Sequence, residues 1–360
     1  MAGEDVKKEG GKRNVFNSTT VRSFCPLVSG PAVLALMLCF SFSFNPKKTN
    51  QGPVSKEGEC VGEAWWKDAQ CFSACTQASS ETSLTQNVSW KGISCYKCLG
   101  WNGADPIFDY VETLHGANEP WGAVLDAGTG PNSYPWLLSL PGKTRCDAVT
   151  ASHSMARLAA AGASKSGNKG PVCNMHVRSW MHDADFLEGQ FYDNIIMDYL
   201  IGAVEGFEAF TQERLFKRLA KHLAPQGRLW IIGLEPFPHR DILPAHVSPD
   251  LVAVAELRDT AIALSGERPY REFPLLWYHA ALQGAGLKHL DATAGFANLY
   301  SVQWASHQLR EAWAHLQKCK HAAACEGLKQ DVKNLEERLK REWGRTERCF
   351  GMNFVIAAGW

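Results

Sequence analysis

The chain has no charge to spare: 37 lysines and arginines stand against 37 aspartates and glutamates over 360 residues. A protein with no charge excess lacks the long-range field that draws in phosphate backbones or anionic surfaces, so nucleic acid is not an expected partner. Long hydrophobic runs are short too. The apolar stretch at 32–44 (AVLALMLCFSFSF) falls below the roughly 20 residues an untilted membrane span prefers. With 45% hydrophobic and 21% charged residues, the composition excludes a multi-span membrane protein and long disorder alike. The length leaves room for one large domain with extensions, or two modest ones.

What is present begins with an asymmetric N-terminus. Residues 1–22 form a basic tail with Lys7, Lys8, Lys12, Arg13 and Arg22, after which no charge appears from 23 to 46. This is a targeting pattern, with 23–44 read as a signal peptide or signal anchor; a buried core helix is the alternative. No small-x-small cleavage site follows, so an anchor is favoured, with membrane attachment through this segment. The basic residues ahead of it predict a translocated, lumenal body in the secretory pathway.

Residues 45–103 form a Cys-rich module, in which Cys60, Cys71, Cys75, Cys95 and Cys98 crowd together. Behind a targeting segment such density reads as disulfides. Zinc is the rival, because C-x3-C followed by C-x2-C can place four thiolates tetrahedrally. The sequon at Asn87 agrees with a lumenal placement.

From about 104 the composition changes to alternating strand-like and helix-like segments, the pattern of a sheet with crossover helices. A short helix at 109–114 precedes the stretch 122–130, GAVLDAGTG, an apolar strand ending in Asp126 and a turn with Gly128 and Gly130. Glycines there let the backbone turn sharply and approach a ligand at the carboxyl end of a strand. A dinucleotide fingerprint would require a third glycine where Ser133 stands, and Asp147 falls too early to close a second strand. A nicotinamide dehydrogenase is therefore disfavoured.

Further strands are expected at 145–152 (RCDAVTAS) and 175–181 (MHVRSWM), then FYDNIIMDY at 191–199, an amphipathic helix at 215–223, and LAPQGRLWII at 223–232. Taken in order, D-x-G-x-G, the F-D-x-I-x-x-D-like fourth strand and the L-x-P-G-G-x-L-like turn resemble class I S-adenosylmethionine-dependent methyltransferases of the type 11-like kind. The D-Y-L-I-G-A segment at 198–203 resembles an uncharacterised algal and protist group of them. The resemblance implies an α/β, Rossmann-like methyltransferase domain over 104–360. Its seven-stranded sheet would be mostly parallel with an antiparallel last strand at 350–359, preceded by a helical insertion near 301–345.

It also implies S-adenosylmethionine as cofactor, held by Asp126, Gly128 and Gly130, with Thr150, Ser179 and Trp180 at the ends of the second and third strands. The family normally carries an acid at the position of Thr150 to bind the ribose hydroxyls, and one hydroxyl cannot replace it; Asp147 or Ser152 could shift in. Trp180 could stack on adenine or sit in the core. Asp198 and Tyr199 resemble the family's catalytic position beside the methyl group, and Asp198 could instead cap the next helix. Glu205 and Glu208 read as a solvated helix face, Glu235 as a loop carboxylate that could reach the pocket mouth. The acceptor is expected to be a small molecule. A methyltransferase-fold protein that only binds is the competing function.

In the insertion, Leu328, Val332, Leu335 and Leu339 recur at four, three and four residues, an apolar stripe expected to pack on its own domain, or to serve as a lid or dimer helix. Cys319 and Cys325 could join only if the helix breaks between them.

Overall fold

The computed structural model describes residues 106–116, 118–165, 173–237, 239–243, 248–345 and 348–360. The expected targeting segment, the Cys60–Cys98 module and the Asn87 sequon lie outside them.

Seven strands form one sheet in the order β3-β2-β1-β4-β5-β7-β6: β1 (Gly122–Asp126), β2 (Lys143–Thr150), β3 (Asn174–Val177), β4 (Tyr192–Asp198), β5 (Leu223–Leu234), β6 (Lys288–Tyr300) and β7 (Arg348–Gly359). The first five run parallel, and β7 lies antiparallel between β5 and β6. The chain winds outward from β1 to β3 and then returns to place β4 on the other side of β1. That reversal is the point where open α/β sheets bind ligands.

A parallel sheet must be covered on both faces, so its strands are apolar almost without a break. Alternate residues sort into two cores. Leu125, Ile195, Met197, Leu229, Ile231 and Phe354 face one side, where they pack on α4 (Leu200–Glu208), α5 (Gln212–Ala220) and α7 (Leu275–Gly284). Their neighbours Val124, Ile196, Trp230, Ile232 and Val355 face the other, beneath α1 (Pro106–His115), α2 (Ser133–Ser139) and α3 (His153–Lys165). Several of the chain's tryptophans meet on this second face. Trp121 stands edge-on to Trp136 and stacks on His115, and Asn194 ties two strands together by accepting from the Trp230 indole at 2.8 Å while donating to the Trp121 carbonyl.

The expected insertion is a helix pair between β6 and β7, α8 (Val302–Leu316) and α9 (Ala322–Trp343). Its stripe packs on its own domain. Val332, Leu335 and Leu339 are buried with Leu251, Val252 and Val254 of α6 (Pro249–Leu264) and with Leu309 of α8, as a third core. Leu328 is partly buried beside them. The helix breaks between α8 and α9, and Cys319 in the break is joined to Cys325 in the first turn of α9. A second disulfide, Cys146–Cys173, links β2 to the approach to β3.

Three expectations need correction. The third strand ends at Val177 instead of running to 181, because the Ser179 hydroxyl accepts from the backbone N–H groups of Met181 and His182 and curls the chain into a turn. The helix expected at 215–223 starts earlier, at Gln212, and Leu223 already belongs to β5. The membrane anchor, with the membrane partner and the membrane-anchored or lumenal localisation inferred from it, is not retained: among the described residues no helix is long and apolar enough to cross a membrane.

The third core gives a test of the insertion as part of the domain. Leu339 has no exposed surface, so Leu339→Ala is expected to lower stability by about 2–5 kcal/mol, read as a shifted denaturation midpoint with unchanged slope.

Candidate functional site

The motif loop is built around a buried acid. Asp126 ends β1 with no exposed surface, and its Oδ1 accepts from the Gly128 N–H at 3.3 Å. Burial pushes its carboxyl up to about 6, while the Thr129 and Ser133 hydroxyls and the Gly128 N–H pull it back. The Thr129 N–H is bonded to the Val149 carbonyl of β2 and the Gly130 N–H to the Ser133 hydroxyl, so the loop is pinned to its neighbours from both sides. Gly128 passes close under α4. A side chain begun there would meet Leu200 at 2.7–3.1 Å, and Leu200 would have to give way.

Over this loop opens a narrow cleft, with about 60 Å³ of free space, between the carboxyl ends of β1 and β2, the turn after β3, and α4. Gly128, Thr150, Ser179 and Trp180 all line it, so the structure brings these four expected residues together. Asp126 and Gly130 are buried behind the lining and shape the loop. Trp180 serves the core as well as the cleft: its indole N–H donates to the Ala127 carbonyl at 2.7 Å, and its ring packs on Phe186 and His222.

The position of Thr150 is settled by its register. It closes β2, and its carbonyl accepts from the Arg178 N–H. Neither candidate substitute reaches the cleft. Asp147 is held within the sheet by the Tyr192 hydroxyl at 2.9 Å, His176 at 2.8 Å, Asn174 and Arg145. Ser152 is spent on Ser154 and the Met155 N–H at the start of α3. Arg178, which the sequence did not single out, lines the cleft on this side.

Asp198 ends β4 and is buried, at the same edge of the sheet but outside the cleft lining. Tyr199 follows in the left-handed region, with φ 46° and ψ 23°, its N–H bonded to the Ile232 carbonyl of β5. An aromatic residue held there costs on the order of 1–3 kcal/mol, the kind of strain found where a chain must aim side chains at a site. Tyr199, and not Asp198, takes the N-cap position of α4, and it makes no side-chain cap bond.

The three glutamates are not where a solvated-face or plain-loop reading puts them. Glu205 is buried and held by Arg268 and Gln212. Glu208 lines the cleft, its Oε1 sealed from solvent and 3.7 Å from the His182 imidazole. Glu235 accepts from the Leu275 N–H at 2.8 Å, capping α7, and burial raises its carboxyl. Tyr270, Glu272 and Glu311 carry no motif or spacing that marks them in the sequence. Tyr270 lines the cleft. Burial holds Glu272 up at about 8 and Glu311 at about 7, each eased by Arg258 and pushed further by Asp259.

No protein-family model matches the sequence, and no curated protein does. Solved structures similar to the chain include the YcgJ protein of Bacillus subtilis, at 16% identity over 71% of this chain and 98% of that one, with a TM-score of 0.44. A S-adenosylmethionine-dependent methyltransferase of Geobacter sulfurreducens, solved with S-adenosylhomocysteine, matches at 12% over 71% and 91%, with a TM-score of 0.40. The cyclopropane synthase MmaA2 of Mycobacterium tuberculosis matches at 17% over 66% and 79%, with a TM-score of 0.39. Strand order, one antiparallel strand and the loop after β1 decide the architecture. The fold is the class I methyltransferase fold.

Asp126, Glu272 and Glu311 each bind a proton more tightly folded than unfolded, so the stability these three contribute is fully present in acid and is lost as pH rises from the ordinary carboxylate range through about 8. Glu272→Gln removes the uppermost of these titrations. Its melting temperature is expected to fall less than that of the unsubstituted protein between about pH 6 and about pH 9, as measured by calorimetric scans across that range.

Proposed function

We propose that residues 104–360 form a methyltransferase domain that binds S-adenosylmethionine and passes its methyl group to a small-molecule acceptor. The observation that carries this reading is the cleft's place: over the carboxyl ends of β1 and β2, floored by the D-x-G-x-G loop. The residues around it suit the cofactor. Val149, Met155 and Leu215 offer apolar walls to a purine, while Glu208, whose Oε1 lies 3.7 Å from the His182 imidazole, brings to the cleft a carboxylate able to accept from the hydroxyl or ammonium groups of a nucleoside–amino acid. Bound there, S-adenosylmethionine would supply a methyl carbon made electrophilic by its sulfonium.

The chain's own contribution is alignment and exclusion of water. Asp126 holds the loop so that Gly128 presents backbone to the ligand, with Gly130 behind it fixing the turn through its bond to Ser133. Thr150 and Ser179 offer hydroxyls at the ends of β2 and β3, and Trp180 a ring edge fixed by its bond to Ala127. Asp198 and Tyr199, at the end of β4, would orient the acceptor or take its proton. Within this reading, the segment 198–203 sets the chain beside the type 11-like algal and protist group. Thr150, lacking the charge that ribose hydroxyls usually meet, is the one feature favouring a protein that binds without catalysis.

Titration calorimetry is expected to find saturable binding of S-adenosylhomocysteine and none of NAD. Gly128→Val, which drives a side chain into Leu200, should weaken that binding at least about tenfold; an unchanged affinity would remove the loop from the site. With cofactor-product release as the assay against a metabolite extract, Asp198→Asn should slow turnover about tenfold to a thousandfold while leaving cofactor affinity nearly unchanged. No turnover from the unsubstituted protein, with binding intact, would favour the non-catalytic reading.

A further inference from the structure

In open α/β folds a ribose is commonly held at the end of the second strand by a carboxylate, because its two hydroxyls donate and one acid accepts from both. The same acid repels a ribose that carries a phosphate, and so excludes it. Here that end of the cleft lacks the acid. Thr150 closes β2, and its hydroxyl accepts from the Ser152 N–H at 3.4 Å. Asp147, the acid of β2, is held within the sheet by Tyr192 and His176. Among the described residues that line the cleft, Glu208 is the one acid, and it comes from α4.

In place of the acid the fold brings an arginine. β2 and β3 pair in parallel with Thr150 beside Val177, and the next N–H along β3, that of Arg178, bonds to the Thr150 carbonyl at 2.9 Å. Thr150 and Arg178 therefore leave neighbouring strands side by side, and both line the cleft. Arg178 is the one cation among the described residues that do so. Its ion pair is slight. The Nε lies 3.9 Å from Asp183, and with side chains 63% and 41% exposed such a pair is weak in water. That exposure also sets Arg178 at the mouth, so a group bound to it takes no room from the narrow part of the cleft. A guanidinium donates two parallel bonds to a phosphate. Thr150 can add a third, since accepting from Ser152 uses a lone pair and leaves the hydroxyl proton to give.

We propose that Thr150 and Arg178 form a phosphate site at the ribose end of the cleft, which selects an adenosine phosphorylated on its 2′ or 3′ oxygen. This rests on the reading of the cleft as an adenosine site. Within that reading the phosphorylated nucleotide excludes S-adenosylmethionine, and so regulates methyl transfer at the donor site itself.

The test is titration calorimetry of the full chain, at one ionic strength, with adenosine, its 2′-, 3′- and 5′-monophosphates, and S-adenosylhomocysteine. The 2′- or the 3′-monophosphate is expected to bind at least about tenfold more tightly than adenosine or the 5′-monophosphate, the better isomer naming the oxygen. That isomer should displace S-adenosylhomocysteine competitively. Arg178→Gln should bring its affinity, relative to adenosine on the same sample, to within about twofold of unity. Thr150→Asp, which puts back the acid, should lower the same ratio at least about tenfold, with the melting temperature of each variant reporting an intact fold. A preference shared by the 5′-monophosphate, no preference over adenosine, or a preference that survives Arg178→Gln would overturn the proposal. Binding of S-adenosylhomocysteine without the preference removes the phosphate site and leaves the cofactor reading. If S-adenosylhomocysteine fails to bind while the preference and its loss in Arg178→Gln are both found, the methyl-donor reading falls and the phosphate site stands. Silence from all five ligands would overturn both.

Discussion

A parallel sheet cannot leave either face to water, and this requirement governs where everything else in the molecule lies. Because β1, β4 and β5 alternate between two cores, helices have to leave the strand ends in opposite directions. They part most widely where the strand order reverses beside β1. The cleft over Gly128 is the gap that this parting leaves, and no residue there is free to close it: the loop is pinned by Asp126 below and by Val149 at its side. The site is thus a by-product of covering the sheet.

The same constraint explains what could be read in the sequence. Strands buried on both faces are near-continuous apolar runs, so GAVLD at 122–126 and the strands ending at Asp198 and near Ile232 stand out against the polar turns that follow them. Their order led to the architecture, and the D-x-G-x-G loop to Gly128 at the cleft with Asp126 and Gly130 behind it, through simple proximity in the chain. Where a local hydrogen bond decides, the pattern misleads. Ser179 stops β3 with two backbone bonds to its hydroxyl, and MHVRSWM looks like a strand throughout because the alternation of its side chains carries no record of that turn.

Tyr270, Glu272 and Glu311 were illegible for a different reason. They come from a loop and a helix set apart along the chain, and no periodicity links them. Glu205 and Glu208 looked like an exposed helix face because α4 is glutamate-bearing at helical spacing. Yet Arg268 and Gln212 bury the first, and the cleft wall takes in the second. Charge on a helix reads as solvent until the partner that covers it is known, and here the partner lies more than fifty residues away in the chain.

The placement of α6 carries a consequence for how such a protein diversifies. Leu251 and Val254 of this helix belong to the core beneath the α8–α9 pair, and one turn further along the same face Arg258 acts on the buried carboxyls of Glu272 and Glu311. Small volume changes under the helix pair would tilt α6 and move that arginine by fractions of an ångström, with β1 to β3 untouched. Selection could therefore retune the charge around those carboxyls through substitutions far from any ligand, and mutations of that kind would be invisible to a search confined to the residues lining the cleft.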